Sequence, residues 1–202
     1  MSTSSTRDRL LDTAAQLFAE NGFDRTSVRD ITTAAEANQA AIHYHFGSKE
    51  AVLRAATDRV VGPLNERRHQ LLDDLLADEH EPTSDQLLRI FLQADLETLQ
   101  ALQDRGAAAR LVGRVYSDPS PAMQAMARDQ FGETGARFAD ALAAALPKLP
   151  ADEIVWRLEQ IVAVIVNLFL RWPHEGVTPT EAAVLLDRLV AFLGPGLSAP
   201  PP

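Results

Sequence analysis

Residues 26–49, TSVRDITTAAEANQAAIHYHFGSK, decide the fold of the N-terminal part of the chain. Their pattern predicts two short helices around a tight turn, the second of which covers residues 39–45. A hydroxyl from Thr26 or Ser27 can cap the first helix, and Asn38 can cap the second. Because so short a helix is unstable alone, we expect the second helix to pack against the first.

The second of these helices has two different sides. Ile42 and Phe46 are four residues apart, so they share one side and can pack on the preceding helix. Small and hydrogen-bonding side chains remain for the other side. Gly47 is placed to end the helix with a positive φ, and Ser48 can cap the helix that follows. A short helix of this kind, held by a partner, suits the major groove of DNA.

This segment resembles the DNA-binding domain of TetR-type transcriptional regulators. The shared pattern runs from residue 9 to about residue 53 and includes LLDTAAQLFAENGFDRTSVRDI and YHFGSKEAVL. The resemblance implies a helix-turn-helix whose second helix faces the bases. By motif position, base contacts are expected from Gln39, Ala40, Ala41 and His43. Phosphate contacts are expected from Thr26, Ser27, Tyr44, His45 and Lys49.

Two residues depart from the pattern of this family. Glu36 occupies the turn between the two helices, where glycine is usual, and a positive φ at this position would cost about 1–2 kcal/mol. His43 stands where tyrosine is common, which leaves open whether it contacts a phosphate or a base.

The composition predicts an all-α fold with nine or ten helices. The chain has 202 residues, 46% of them apolar, which is enough for a sizeable core and one or two domains. Alanine and leucine dominate, and runs typical of strands are scarce. Cysteine is absent, which excludes disulfides and thiolate metal sites.

The formal charge of −9 is unusual for a protein that binds DNA. Residues 1–54 carry six Lys/Arg against seven Asp/Glu, and residues 55–202 carry thirteen against twenty-one. The acidity therefore lies mostly outside the DNA-binding segment, and phosphate contact would rest on a few placed groups. Residues 1–9 lack the apolar core of a signal peptide, and the most apolar stretch, residues 161–170, is too short to span a bilayer. We expect a cytoplasmic protein with no membrane partner.

The pattern divides the chain into three regions. Residues 1–50 form the DNA-binding domain, residues 51–82 a connecting helix kinked at residues 62–63 by Gly-Pro, and residues 83–197 a ligand-binding and dimerisation domain. Capping boxes open helices at Thr83 and Thr178, and Gly106 is expected to stop the helix before it. The helices of the third region are expected at residues 83–103, 107–116, 121–146, 152–172 and 178–193.

The two last helices predict a dimer. Residues 153–172 hold more apolar surface than one monomer easily buries, and the final helix has a broad apolar face. Two such helices per subunit can form a four-helix interface around a two-fold axis, as regulators of the resembled family do. The alternative is a helix at the centre of a monomeric domain. The candidate interface residues are Val162, Val166, Leu185, Leu189 and Phe192.

The other helices of the third region can enclose an apolar ligand pocket. For each apolar candidate, ordinary core packing is the alternative. Arg110 and Arg114 could hold an anionic headgroup or form a solvated face beside Asp118, and Asn167 could bind a ligand or pair across the dimer. The candidate ligand-binding residues are Phe91, Leu99, Arg110, Arg114, Val115, Tyr116, Met126, Phe138, Asn167 and Phe169.

These features favour a ligand-responsive transcriptional regulator. The resemblance implies a repressor that a small, largely apolar effector releases from double-stranded DNA carrying an inverted-repeat operator. The sequences AEANQAAIHYHF and RLVGRVYSDPSP resemble a subgroup that includes regulators of fatty-acid metabolism, which suggests a fatty acid or an acyl-CoA-like effector. The alternatives are a dimeric helical small-molecule-binding protein without DNA binding and a helical enzyme.

Catalysis finds little support in the sequence. It has no nucleophile motif, glycine-rich phosphate loop or usefully spaced carboxylate pair. His43 and His45 are two residues apart, so on a helix they point about 200° apart and cannot share a metal ion. We expect no cofactor and no metal.

Overall fold

The computed structural model describes residues 5–102, 106–171 and 177–201. Within those residues the fold is all-α, with nine helices and no strand, as the composition predicts. The helices are α1 (Thr6–Asn21), α2 (Val28–Ala34), α3 (Gln39–His45), α4 (Lys49–Leu76), α5 (Ser84–Ala101), α6 (Gly106–Ser117), α7 (Pro121–Ala145), α8 (Ala151–Arg171) and α9 (Pro179–Ser198).

The expected capping residues begin the helices of the N-terminal part. Ser27 and Asp30 form a capping box, in which the Asp30 amide donates to Ser27 Oγ at 3.1 Å and the Ser27 amide to Asp30 Oδ2 at 2.8 Å. Asn38 Oδ1 accepts from the Ala40 amide at 2.9 Å. The predicted boxes at Thr83 and Thr178 are also confirmed. Local hydrogen bonding thus fixes the residues at which α2 and α3 begin.

Two predicted helix ends are wrong. Gly106 begins α6 instead of stopping the helix before it. Helix α9 continues through Pro195 to Ser198 rather than ending near residue 193. Arg157 of α8 supplies the reason, because it donates to the carbonyl oxygens of Leu197 at 2.9 Å and Ala199 at 2.6 Å and so satisfies the helix end. The ends predicted at residues 103 and 172 lie outside the described residues.

Helix α4 is one helix, with Pro63 inside it. The sequence was compatible with one kinked helix or with two helices, and the structure has a single continuous helix. Val60, Val61 and Leu64 around the proline are buried, so packing holds the helix on both sides of the missing amide hydrogen bond. The kink itself stays a prediction.

The helices enclose two apolar cores. The head core contains Leu10, Phe18, Ile31 and Ile42, as the sequence predicts, but it also takes Leu111, Val115, Met123 and Met126 from α6 and α7. The body core is formed by residues of α4 to α9. Helix α6 contributes Val112 to the body core and Leu111 to the head core, so the two cores are joined by direct packing.

Candidate nucleic-acid interface and regulatory core

Helix α3 presents a row of exposed side chains. Ile42 is fully buried and anchors the helix on the head core, whereas Tyr44 is 85% exposed. Gln39, Ala40, His43 and His45 are also exposed, and Ala41 is half-buried. Since these side chains contribute little to the core, the surface of α3 is available to another molecule.

Ring contacts order the C-terminal end of α3. Tyr44 and His45 meet edge to face with ring centroids 4.9 Å apart. Phe46 is covered by the guanidinium of Arg7, 5.5 Å from its ring centroid. Arg7 thereby brings a positive charge close to the C-terminal end of α3. The sequence reasoning missed Arg7 because it precedes the shared motif.

Two of the residues predicted to contact phosphate make hydrogen bonds within the chain. Thr26 is only 1% exposed, and its hydroxyl donates to the carbonyl oxygens of Gly22 at 2.9 Å and Leu17 at 3.3 Å. Its side chain therefore closes the loop before α2 and is not exposed at the surface, and its phosphate contact stays a prediction. Lys49 Nζ donates to the carbonyl oxygens of Phe23 at 3.0 Å and Thr26 at 3.1 Å, so this ammonium holds the same loop. Ser27 remains exposed at the start of α2.

Glu36 adopts the strained backbone that its position in the turn suggested. Its φ is 50°, and it is the non-glycine residue with positive φ among those described. The turn is otherwise intact, since the Ala37 amide donates to the Thr32 carbonyl oxygen at 2.9 Å and the Glu36 amide to that of Thr33 at 3.2 Å. The strain therefore stays at one residue, at a cost of about 1–2 kcal/mol.

We expect Glu36→Gly to raise the free energy of unfolding by about 0.5–1 kcal/mol. Relief of the strain is partly offset by the larger backbone entropy of glycine in the unfolded chain. Thermal unfolding would show a midpoint about 1–4 °C higher. Glu36→Ala is the matched control, because it removes the carboxylate but keeps a Cβ at positive φ. An equal rise in both variants would assign the effect to charge instead of backbone strain.

The residues predicted to line a ligand pocket are mostly buried in the two cores. Phe91, Leu99, Phe138 and Phe169 are buried in the body core, and the rings of Phe91 and Phe138 meet edge to face at 4.8 Å. Val115 and Met126 belong to the head core instead. Asn167 is exposed on α8, and both its ligand contact and its pairing across a dimer stay predictions. Arg110 on α6 is half-buried.

Two adjoining clefts of about 180 Å³ and 340 Å³ lie where the end of α1 meets α6 and α7. Arg114 lines both clefts, and Val115 lines the smaller one. Gly22, Phe23 and Asp118 also border both. Of the predicted ligand-binding residues, these clefts thus bring together Arg114 and Val115.

A buried ion pair joins α4 to α5 inside the body. Arg68 Nη2 lies 2.6 Å from Asp95 Oδ2, and the two side chains are only 4% and 2% exposed. The guanidinium also covers the Phe91 ring, 4.0 Å from its centroid. Arg68 Nε, Asp95 Oδ1 and Asn65 Oδ1 are buried without a hydrogen-bond partner. Burial raises the pKa of the Asp95 carboxyl above its usual range, although the nearby Arg68 acts in the opposite direction.

Further polar side chains continue from this pair toward α6 and α7. The Tyr116 hydroxyl donates to Gln130 Oε1 at 2.8 Å, and Gln130 Nε2 donates to Thr57 Oγ1 at 2.9 Å. Asn65 Nδ2 donates to the Gln130 carbonyl oxygen at 2.6 Å. Burial raises the pKa of Tyr116, so its hydroxyl remains protonated and available as a donor. We call Asn65, Arg68, Asp95, Tyr116 and Gln130 the polar layer.

An uncovered apolar face lies on α8 and α9. Phe192 is 74% exposed and Trp156 55% exposed, and large exposed apolar patches mark interaction sites. Val155, Val162 and Val184 are exposed on the same two helices. Val166 and Leu185 are half-buried. Leu189 is only 8% exposed and belongs to the body core, so it packs inward within one chain, and its place in a dimer interface stays a prediction.

Comparison with known proteins agrees with both parts of this architecture. Residues 10–56 match the family described as bacterial regulatory proteins, tetR family. Residues 89–196, more than half of the chain, match the tetracyclin repressor-like, C-terminal domain. The chain belongs to the TetR family. Members of this family are transcriptional regulators rather than enzymes, and they bind DNA operators and form dimers.

Individual TetR-family proteins are similar over shorter stretches. The HTH-type transcriptional repressor KstR2 of Rhodococcus jostii is 43% identical over 67 residues, 31% of this chain and 33% of that protein. The HTH-type transcriptional repressor NicS of Pseudomonas putida is 33% identical over 70 residues, 35% of this chain and 33% of that protein. The alignments therefore span about a third of these relatives.

Solved TetR-family structures share the fold over nearly the full length. The regulator PfmR of Thermus thermophilus superposes with a TM-score of 0.61 over 99% of both chains, at 20% identity. Among the described residues of the present chain, no helix is long and apolar enough to cross a membrane. The same residues contain no cluster of three or more metal-ligating side chains.

The polar layer of this TetR-family protein was missed because no motif marks it. One signal for Asp95 exists in the sequence. Phe91, Asp95 and Leu99 are four residues apart, so Asp95 falls on the apolar face of α5. A carboxylate at such a position needs a buried partner, and Arg68 on α4 is that partner.

Proposed function

We propose that this protein is a transcriptional repressor that binds an inverted-repeat operator as a homodimer and releases it when a small molecule binds. The observation that carries the proposal is α3, a short helix held by Ile42 with Gln39 and Tyr44 exposed beside it. A helix of this kind enters the major groove in helix-turn-helix regulators. Since such a repressor acts on chromosomal DNA, we propose a cytoplasmic location.

The homodimer is supported by the apolar face on α8 and α9. A second copy related by a two-fold axis would cover Trp156 and Phe192 with the same residues of its partner. The two α3 helices would then be related by the same axis, which is why the proposed operator is an inverted repeat.

A gel-shift experiment with the DNA upstream of the protein's own gene tests the proposed function. A shift that competitor DNA of unrelated sequence does not reverse would support a regulator. If the protein remains dimeric and shifts no upstream fragment above the non-specific level, a small-molecule-binding protein without DNA binding would be the better description.

We predict different effects for two variants of α3. Tyr44→Phe should weaken binding to all sequences about equally, because a phosphate contact carries no sequence information. Gln39→Ala should cost roughly 1–3 kcal/mol at one position of each half-site, because an amide reads base edges. Binding to a set of single-base operator variants measures both. The same sequence dependence in the two variants would contradict the assignment.

The polar layer is the place where we propose that the effector acts. The aromatic lining supports an effector that is largely apolar, and the three unpartnered polar atoms support at least one polar group on it. Because Phe91 and Leu99 are packed in the body core, the effector would displace side chains to enter. Arg68 lies on α4, whose other end packs on the head through Val52 and Leu53, so a shift of α4 would reach the DNA-binding surface.

The proposed division into domains follows from this connection between the polar layer and the DNA-binding surface through α4. Residues 1–50 would move as the DNA-binding domain, residues 51–82 would transmit the motion, and residues 83–197 would bind the effector and the second subunit. Helix α6 provides a second path, because it packs in both cores. An effector that prefers one arrangement of these helices would change operator affinity by its difference in affinity for the two arrangements.

A further inference from the structure

We propose that His43 reads the exocyclic amino group of an adenine or cytosine, with Nε2 acting as the hydrogen-bond acceptor. This inference rests on the proposed function and specifies one position of the operator. It also decides between the two contacts left open by the sequence, a phosphate or a base.

The first step is the protonation of the imidazole. His43 Nδ1 lies 3.2 Å from the carbonyl oxygen of Gly47. A carbonyl oxygen can only accept a hydrogen bond, so Nδ1 must carry a proton and donate it. A neutral imidazole holds one proton, so Nε2 is unprotonated and can accept a hydrogen bond.

The second step is the fixed orientation of the ring. Gly47 has a φ of 85° and its amide donates to the Ile42 carbonyl oxygen at 3.0 Å. The carbonyl group that holds Nδ1 is therefore part of the ordered end of α3. Because Nδ1 points back to the backbone, Nε2 on the other side of the ring is directed away from it.

The third step is the place of His43 on α3. Gln39 and Ala40 precede it by four and three residues, so the three residues share one face of the helix. All three are exposed, while Ile42 beside them is buried. The methyl group of Ala40 leaves room for the imidazole to approach a base pair.

The last step is the chemistry of the major groove. Adenine N6 and cytosine N4 donate hydrogen bonds there, whereas guanine N7 and O6 and thymine O4 accept them. An unprotonated Nε2 can accept a hydrogen bond from adenine N6 or cytosine N4, and it is repelled by the acceptor atoms of guanine and thymine. Phosphate oxygens are also acceptors, so the neutral ring favours a base over a phosphate.

Selection of binding sites from a random-sequence DNA library tests the inference with the full-length protein at about pH 8, where histidine is ordinarily neutral. The parent should select adenine or cytosine at one position of each half-site, by roughly 5- to 150-fold over guanine or thymine. His43→Phe should lose the preference at that position alone. His43→Arg, which can only donate, should select guanine there. His80→Phe, the same substitution far from α3 in sequence and outside every helix, should select the parental sites.

Three results would overturn the inference. One is an unchanged base profile in both His43 variants. Another is an equal loss of affinity for all sequences, which would indicate a phosphate contact. The third is parental selection of guanine or thymine at the position that changes in the variants. If the parent enriches no sequence at all, the proposed function itself is contradicted. This outcome can be distinguished from a changed base preference at one position of the half-site.

Discussion

Arg68→Ala should lower the free energy of unfolding by about 3–5 kcal/mol, a large share of the total stability of a typical domain. The substitution leaves the Asp95 carboxylate buried without its cation, and the pair is only 4% and 2% exposed. Urea denaturation followed by circular dichroism measures the change. The matched control is Arg54→Ala, which breaks a pair with Asp129 whose side chains are 45% and 62% exposed, and should cost only about 0–1 kcal/mol.

The double variant Arg68→Met, Asp95→Leu separates the buried charge from the packing. It removes both charges and keeps apolar volume, so it should recover most of the stability that Arg68→Ala loses. If Arg68→Ala costs no more than Arg54→Ala, the pair is not buried in solution. In that case the polar layer could not serve as the proposed effector site.

Phe192→Arg should convert the dimer to monomers and weaken binding to the full inverted repeat by at least roughly 100-fold. The side chain is 74% exposed in the single chain, so the variant can fold, but a dimer would bury two unpaired guanidinium groups at a cost of several kcal/mol. A monomer holds only one half-site and loses the effective concentration that the second subunit provides. Sedimentation and operator titration measure the two effects.

Ala143→Arg adds the same charge at an exposed position of α7 and should leave both measurements unchanged. A Phe192→Arg protein that sediments as an intact dimer would remove α9 from the interface. Leu189→Arg is unsuitable for this purpose, because Leu189 is buried in the body core and its replacement would also destabilise the fold.

The N-terminal part of the fold was predictable because its signals are local. Ser27 and Asn38 can be read as caps because each bonds to an amide within three residues. The strain at Glu36 was suggested by the family resemblance, since glycine is usual at this position of the turn. The bounds of α3 and the burial of Ile42 follow from spacing alone.

The features that the sequence missed depend on contacts between distant residues. Helix α9 continues past residue 193 because Arg157 on α8 satisfies its last carbonyl groups. Leu189 and Phe192 are both apolar residues of α9, and only the packing against the body core separates the buried one from the exposed one. Thr26 was expected to contact phosphate from its position in the motif, but its hydroxyl donates to the carbonyl oxygens of residues 22 and 17.

The candidate ligand pocket illustrates the same limit. Its aromatic residues do lie together, since Phe91 contacts Phe138 and the rings of Tyr116 and Phe131 meet at 4.6 Å. Periodicity cannot tell whether such a group encloses a space or fills it. Nor can it pair Arg68 with Asp95, which are 27 residues apart.

Hydroxyl-radical footprinting on the selected operator tests the central claim most directly. A homodimeric repressor should protect two patches related by a two-fold axis, with centres about 34–36 Å apart along the DNA or a multiple of that distance. Both patches should disappear together in Phe192→Arg. A single asymmetric patch, or two patches that persist in the monomeric variant, would contradict the account.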